Sequence, residues 1–154
     1  GRRGLLGGAL EFLGIQLPFT TVAVIFAQAF VSAPLFIRAA RLGFASIRPE
    51  LIEAAYTDGA SELTIFWLIM LPLASKAMLN GLILCWARAF GEFGATIIFA
   101  GNLQGRTQTM PLVIFNGFET NLGIALSISL ILILISALIL LALRSVEREP
   151  AMTT

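Results

Sequence analysis

Long apolar runs separated by short charged segments dominate this chain. Residues 18–37 are largely apolar, and residues 122–143 are almost uninterrupted in their apolar character. An α-helix rises ~1.5 Å per residue, so each run is long enough to cross a hydrocarbon core of about 30 Å. The pattern predicts membrane-spanning helices over 18–37 and 122–143, within an all-α, polytopic transmembrane bundle.

Between these two runs, two positions are open for a further crossing. Residues 64–74 are apolar, but this segment is too short to span alone. A crossing could begin near Leu63 and include Lys76, or it could cover 77–100 and include Arg88 and Glu92. We prefer 77–100, because it leaves Lys76 at the membrane boundary and makes Pro72 a break before the span. Three crossings are therefore predicted.

Basic residues indicate which ends of the spans face the cytoplasm. Arginines directly follow the first and the last predicted span, and such residues are enriched on the cytoplasmic side. We therefore expect a cytoplasmic loop over 44–74 and an external loop over 101–120. Within the external loop, residues 110–118 are apolar but too short to span, so they could re-enter the membrane or cap the pathway. The arginines behind this orientation are Arg38, Arg41, Arg48, Arg144 and Arg148.

The two ends of the chain carry less information. Residues 1–17 mix charges with an apolar run that is too short to cross a bilayer, which favours a loop with a short interfacial helix. The last residues look disordered. Because the chain starts with Gly1 rather than methionine and shows no signal peptide, we expect an N-terminal truncation of a longer protein.

Composition supports a membrane protein and argues against a metal-dependent enzyme or a nucleic-acid-binding protein. Of 154 residues, 58% are hydrophobic and 12% are charged, as expected for an integral membrane protein. The chain has no histidine and a single cysteine, Cys85, so the common metal-binding and acid–base constellations are missing. Its basic residues are scattered, which gives nucleic-acid binding no electrostatic support.

Residues 49–72 include several residues that are typical of the beginnings and ends of helices. Pro49 suits a first helical turn, and Gly59 suits a left-handed stop about ten residues later. Ser61 then suits the N-cap of a second helix, which Pro72 should bend or end. The apolar face of the first short helix needs something to dock against; it comprises Leu51, Ile52, Ala55 and Tyr56.

A motif runs through this segment. Glu53-Ala54-Ala55 is followed by three residues, Gly59, nine residues and then Ile69-Met70-Leu71-Pro72. This pattern resembles the "EAA" loop of permeases of bacterial ABC importers, and it implies the type I importer permease fold. In that family the short helix of the loop fits a groove in the ATP-binding subunit. The resemblance assigns ATPase coupling to Glu53, Ala54, Ala55, Gly59, Ile69, Leu71 and Pro72.

Polar residues within the predicted spans are candidates for the translocation pathway. In the second span, a helical stripe of small and charged residues would have to face protein or water, because charges in lipid are costly. Arg88 and Glu92, one turn apart on it, could form a gate or anion-attracting wall, or a structural ion pair. The stripe contains Gly81, Cys85, Arg88, Glu92 and Ala95. The candidate pathway or gate positions are Gln28, Ser32, Arg88, Glu92, Thr96 and Asn102.

A second resemblance indicates which permeases of ABC importers are most similar to this chain. The sequences GEFGAT at 91–96, FAGN at 99–102 and TQTMP at 107–111 are similar to the corresponding segment of molybdate ABC transporter permeases. Sulfate permeases are close relatives, but they tend to carry serine and tyrosine where this chain has Gly91 and Phe93. Tungstate is chemically too near molybdate for the sequence to separate the two.

The resemblance also implies location and partners. It implies a multi-pass protein of the inner (plasma) membrane, paired with a second permease copy as a homodimer. Two ATP-binding cassette subunits and an external solute-binding protein would complete the complex. The chain would be a transport subunit and not an enzyme, binding no cofactor itself, while ATP and Mg are used by the partner subunit. The absence of a GxxxxGK[ST] phosphate loop is consistent with this.

Two alternatives come from other functional classes. A secondary transporter driven by an ion gradient would place Arg88 and Glu92 in its coupling site, but it would leave the pattern over 53–72 unexplained. A membrane scaffold without transport activity is the other alternative. ATP-dependent substrate movement in a reconstituted complex would rule the scaffold out.

Overall fold

The structure is a computed structural model that describes residues 18–147, and the side chains of residues 18–141. The predicted interfacial helix over 1–17, Arg148 and the chain end that was expected to be disordered lie outside the described residues. Residues 18–147 form helices and connecting turns without a β-strand, so the predicted all-α class is confirmed. The elements are α1 (Thr21–Ala45), α2 (Pro49–Thr57), α3 (Glu62–Ile65), a π-helical segment (Phe66–Met70), α4 (Leu71–Phe90), α5 (Gly94–Ala100), α6 (Met110–Thr120) and α7 (Leu122–Glu147).

Three helical stretches are long and apolar enough to cross a membrane, which agrees with the predicted number of spans. They are Thr21–Ala45, Glu62–Phe90 and Leu122–Leu141. The first begins after Thr20, whose hydroxyl accepts a hydrogen bond from the Ala23 amide at 3.3 Å. It extends well beyond the predicted end at residue 37, so Arg38 and Arg41 lie inside α1. Charged residues can continue a helix once it leaves the apolar layer.

The second long helix differs from the prediction. It continues from Glu62 through Phe90, and Pro72 does not end it. Proline lacks an N–H group, and its ring conflicts with the carbonyl of the residue four positions earlier. The helix widens just before Pro72, where the Leu71 amide donates to the Phe66 carbonyl, five positions earlier, and this wider turn accommodates the ring.

The prediction of one helix over 77–100 is wrong. α4 ends at Phe90, residues 91–93 are not helical, and α5 begins at Gly94. The observed bounds match the alternative that begins near Leu63. The prediction also treated 101–120 as a loop, whereas its second half is α6, with Pro111 in the first turn where a missing N–H costs nothing. The sides of the membrane on which these segments lie stay predictions.

The chain divides into two compact units. The described part of the first unit consists of residues 18–31 and 88–138, and that of the second consists of residues 32–87 and 139–147. All seven predicted coupling residues belong to the second unit. Of the predicted pathway residues, only Ser32 belongs to the second unit.

In the second unit, α1 and α4 pack through small residues. A Cβ atom on Gly43 would lie 2.7 Å from the Cβ of Ala77, and one on Gly81 would collide with the Cβ of Ala39. In each helix the two small residues are four positions apart. Their order is reversed between the helices, because Ala39 pairs with Gly81 and Gly43 pairs with Ala77. Small residues at such spacing let two backbones approach closely, so this is a tight antiparallel crossing. The segment containing α2 connects these two helices.

In the first unit, the start of α1 packs against the segment after α5. Ala23, Val24 and Ala100 form a small buried cluster. Gly101 has a φ of +72°, and a Cβ atom there would lie 2.8 Å from the Phe19 ring. Its left-handed backbone and lack of a side chain therefore let the chain turn directly beside Phe19.

A second tight contact in the first unit joins α6 to α7. A Cβ atom on Gly117 would lie 3.0 Å from the Cβ of Ala125. The side chain of Asn121, between the two helices, accepts a hydrogen bond from the Ile124 amide at 3.2 Å and so caps α7. The turn from α6 into α7 is fixed by this cap and this close approach.

Candidate functional sites

The helix α2 ends in a defined glycine motif. The Gly59 amide donates to the Tyr56 carbonyl and the Ala60 amide donates to the Ala55 carbonyl, both at 3.0 Å. These are the two hydrogen bonds of a Schellman motif, which requires a left-handed residue directly after the helix cap. Gly59 has a φ of +83°. The predicted left-handed stop is confirmed.

The next helix begins as its sequence predicts. Ser61 has an extended backbone conformation, and its hydroxyl accepts a hydrogen bond from the Thr64 amide at 3.3 Å. Glu62 lies in the first turn, where the helix dipole favours a negative charge. The segment is therefore helix, glycine turn and capped helix, with its geometry fixed by local hydrogen bonds.

The apolar face of α2 is only partly covered in the part of the chain that the structure describes: Leu51 and Tyr56 are exposed, and Ile52 and Ala55 are half-buried. None of the nine residues of α2 is buried. Leu51 and Tyr56 are 39% and 50% exposed, and Glu53 and Ala54 of the motif are exposed as well. Exposed apolar side chains grouped on one surface mark contacts with another protein or with a membrane. The structure thus places Glu53 and Ala54, the first two residues of the motif, on the accessible surface of a short helix.

An aromatic contact that the sequence analysis missed connects α1 to the helix after the glycine turn. The rings of Phe44 and Phe66 stack with centroids 6.2 Å apart, and Trp67 meets Phe66 edge-on at 5.3 Å. Phe66 opens the π-helical segment, which also contains the motif residue Ile69. Leu71 and Pro72 follow directly in α4. The sequence pattern could not predict the contact between Phe44 and Phe66, because the whole α2 segment separates these two residues along the chain.

In the first unit, Arg88 and Glu92 form the predicted ion pair, with an N–O distance of 2.8 Å. The Glu92 side chain is 7% exposed and that of Arg88 is 44% exposed. Glu92 also accepts a hydrogen bond from the Ala95 amide at 2.8 Å. The buried carboxylate is thus held by a guanidinium and by the first turn of α5.

The predicted helical stripe does not continue through this pair. Gly81, Cys85 and Arg88 lie on α4, whereas Glu92 lies in the non-helical break and Ala95 lies on α5. A stripe needs one continuous helix, and the break at residues 91–93 interrupts it. The ion pair therefore spans the break between α4 and α5 instead of lying along a single helix face.

The remaining pathway candidates occupy different environments. Thr96 is fully buried, and neither its hydroxyl nor the side-chain carbonyl of Asn102 has a hydrogen-bond partner among the described residues. Gln28 is half-buried and Ser32 is buried, and both have polar partners. Buried polar atoms without partners are rare in folded proteins. Another such atom in the first unit, the Thr109 hydroxyl, was missed by the sequence analysis.

Comparison with known proteins gives a family match over most of the chain. Residues 9–149 match the model of the family described as "Binding-protein-dependent transport system inner membrane component". The match includes both candidate sites, the α2 segment and the Arg88–Glu92 pair.

Several curated proteins are similar to the chain. The "Probable transport system permease protein NifC" of Clostridium pasteurianum is 40% identical over 97% of this chain and 52% of its own length. The "Molybdenum transport system permease protein ModB" of Mycobacterium tuberculosis is 40% identical over 92% of this chain and 53% of its own length. The "Probable sulfate transport system permease protein cysT" of Chlorokybus atmophyticus is 37% identical over 85% and 49% respectively. The chain thus spans about half the length of these relatives.

Proposed function

Because the chain belongs to the family of binding-protein-dependent transport system inner membrane components, we propose that it acts as the membrane-spanning permease subunit of an ATP-driven importer of molybdate. Its helices form part of the translocation pathway, and the segment around α2 couples that pathway to ATP-binding subunits. The names of similar proteins support molybdate, since several are called molybdenum transport permeases.

The observation that carries the coupling role is the exposure of the two largest side chains on the apolar face of α2. Leu51 and Tyr56 lie exposed on a short helix whose ends are fixed by a proline and by a glycine motif. A rigid helix with an apolar face is suited to insert into a groove of a partner protein. The small residues Ala54 and Ala55 allow the partner surface to approach the helix backbone closely.

The packing of the second unit suggests how movement at α2 reaches the membrane helices. α2 lies between α1 and α4, which contact each other through Gly43 with Ala77 and Gly81 with Ala39. Close-packed interfaces of this kind move as bodies instead of deforming continuously. When ATP binding draws the partner subunits together, α2 moves and carries the α1–α4 pair with it. Transport requires that nucleotide and substrate bind the two resulting conformations with different affinities.

In this proposal, the Arg88–Glu92 pair is structural. The guanidinium neutralises a carboxylate that is almost fully buried, and the same carboxylate holds the start of α5. A buried carboxylate that lost its cation would be strongly destabilising. The pair therefore fixes the break between α4 and α5, and it does not select the transported anion.

The complete transporter contains further proteins. A second copy of the permease forms a homodimer, two ATP-binding cassette subunits bind ATP and Mg, and an external solute-binding protein delivers the anion. The chain itself contributes the pathway and the coupling segment. It has no GxxxxGK[ST] phosphate loop with which to bind a nucleotide.

Sulfate is the second candidate substrate, because the similarity to the probable sulfate permease extends over most of the chain. Molybdate is favoured by Gly91 and Phe93, which lie at the positions where sulfate permeases tend to carry serine and tyrosine. Tungstate shares the charge and shape of molybdate and would be transported by the same complex.

The test is reconstitution of the intact permease in liposomes, with its ATP-binding and solute-binding partners. ATPase rate and uptake are followed with molybdate, tungstate and sulfate in turn. We expect stimulation by molybdate and tungstate but not by sulfate. Stimulation by sulfate alone would overturn the substrate assignment. Uptake that requires no ATP and is abolished by an ionophore would instead indicate a secondary transporter.

A further inference from the structure

The C-terminal half of α1 carries a groove with two arginines. It has a volume of about 470 Å³, and the described residues that line it are Pro34, Ile37, Arg38, Arg41, Leu42 and Ala45. Pro34, Arg38, Arg41 and Ala45 follow one another at steps of four, three and four, so they share one face of the helix. Apolar residues lie on both sides of the arginines along the chain. The groove therefore combines a cationic centre with apolar flanks.

Neither guanidinium is neutralised within the described chain. Arg38 and Arg41 are exposed, and neither forms an ion pair or a side-chain hydrogen bond with a described residue. Two adjacent positive charges repel each other, and an anion between them would relieve that repulsion. Arginine is also the side chain best suited to bidentate contact with a phosphate group. The electrostatics of the groove favour a phosphate-containing ligand.

The position of these arginines along the helix indicates where that ligand lies. α1 starts at Thr21 and rises ~1.5 Å per residue, so Arg38 and Arg41 lie roughly 26 to 30 Å from its start. That length is close to the thickness of the hydrocarbon core, about 30 Å. If α1 crosses the membrane, both guanidinium groups reach the level of the lipid headgroups at its far end.

From this arrangement, we propose that the groove on α1 binds an anionic phospholipid of the cytoplasmic leaflet. Arg38 and Arg41 contact its phosphate group, and the start of its acyl chains lies along Pro34 and Ile37. A free oxyanion would leave these apolar residues without a partner, whereas a lipid occupies both parts of the groove. The proposal does not depend on which anion is transported.

The first experiment uses the unmodified, intact permease complex in nanodiscs that contain phosphatidylglycerol with a photoactivatable group near the start of one acyl chain. After illumination, the labelled peptides are identified by mass spectrometry. We expect labelling within residues 34–45, and much less when the same group is carried by phosphatidylcholine. Absence of label from 34–45, or equal labelling by the two lipids, would overturn the proposal, because the groove would then be covered by protein or would not select for charge.

A second experiment measures retention of phosphatidylglycerol by the purified complex in native mass spectrometry. Each arginine near a membrane surface contributes about fivefold to the binding of anionic lipid, so Arg38→Gln with Arg41→Gln should weaken retention about 25-fold. Arg48→Gln is the matched control, because Arg48 does not line the groove. This single variant should weaken retention much less than the double variant does. Unchanged retention in the double variant, or equal loss in the control, would contradict the proposal.

Two additions keep the second experiment interpretable. If the double variant does not assemble, Arg38→Lys with Arg41→Lys keeps the charge and should keep most of the retention. Addition of inorganic phosphate tests whether the groove binds the phosphate group of a lipid or a free phosphate ion. Displacement of the lipid by millimolar phosphate would show that the site recognises a free anion, and it would count against a lipid site.

Discussion

Gly81 of α4 lies directly against Ala39 of α1, so close that a methyl group on Gly81 would collide with the Ala39 side chain. The equivalent pair one turn away is Gly43 with Ala77. At these two contacts, the backbones of α1 and α4, the helices on either side of the α2 segment, approach each other closely. The stability of the second unit should therefore depend on the absence of side chains at these glycines.

We predict that Gly81→Ala destabilises the permease. The added methyl group has to displace Ala39 or separate α1 from α4, and overpacking of this kind costs about 1 to 3 kcal/mol. The measurement is the thermal unfolding midpoint of the purified complex in detergent. Gly91→Ala is the matched control, since a Cβ atom there meets nothing within 4 Å. Equal midpoints for the two variants would argue against a tight α1–α4 crossing.

We predict that Gly59→Val uncouples ATP hydrolysis from transport. A β-branched residue resists the positive φ of +83° that the Schellman motif requires, so α2 would end differently and present its apolar face at another angle. The readout is the ratio of anions transported to ATP hydrolysed in liposomes. Gly59→Asn is the control, because asparagine tolerates the left-handed conformation better than valine. Wild-type coupling in the valine variant would contradict the role of the glycine turn.

We predict that Leu51→Asp prevents the ATP-binding subunits from co-purifying with the permease, while the permease itself remains folded. Leu51 is 39% exposed on a helix without buried residues, so the change disturbs less internal packing than a substitution in a buried position would. It places a charge in the middle of the proposed docking face, where burial against a partner would be costly. Glu62→Gln, a change of an exposed charge outside α2, should leave co-purification intact. Normal co-purification of the Leu51 variant would remove the main support for the docking role.

We predict that Arg88→Ala impairs assembly without changing which anion is transported. The substitution leaves the Glu92 carboxylate buried without its cation, which costs about 3 to 5 kcal/mol for a buried pair. Because Arg88 is partly exposed, we expect a loss below that range. The yield of assembled complex and the relative uptake of molybdate and sulfate are the readouts. A change in anion preference with normal assembly would assign Arg88 to the pathway instead.

A second variant tests whether the assembly defect of Arg88→Ala comes from the unpaired charge of Glu92 or from the loss of the Arg88 side chain. Arg88→Ala combined with Glu92→Gln should recover part of the lost assembly, because the neutral amide no longer needs a cation. The amide oxygen can still accept the hydrogen bond from the Ala95 amide that holds α5. A double variant that assembles no better than Arg88→Ala would show that the ion pair is not the source of the defect.

Local chemistry in the sequence determined several features of the structure. The number of long apolar helices follows from the lengths of the hydrophobic runs, because a lipid environment requires each chain segment to satisfy its own backbone. The ends of α2 follow from Pro49 and Gly59, and the start of the next helix follows from Ser61, because each acts on hydrogen bonds within a few residues. The family resemblance likewise rested on motifs that can be read directly from the chain.

Tertiary structure decided what depends on contacts between distant residues or on competition between neighbouring turns. Pro72 was expected to bend or end a helix, and a wider turn before it kept the helix continuous to Phe90. The pattern could not reveal this, because a proline is compatible with both outcomes. The break at residues 91–93, held by the Glu92 carboxylate, and the pairing of Gly81 with Ala39 also appear only in the folded chain. The lengths of the hydrophobic runs and the capping residues determine which segments are helices, whereas contacts in the folded chain determine where the helices bend, break and pack against each other.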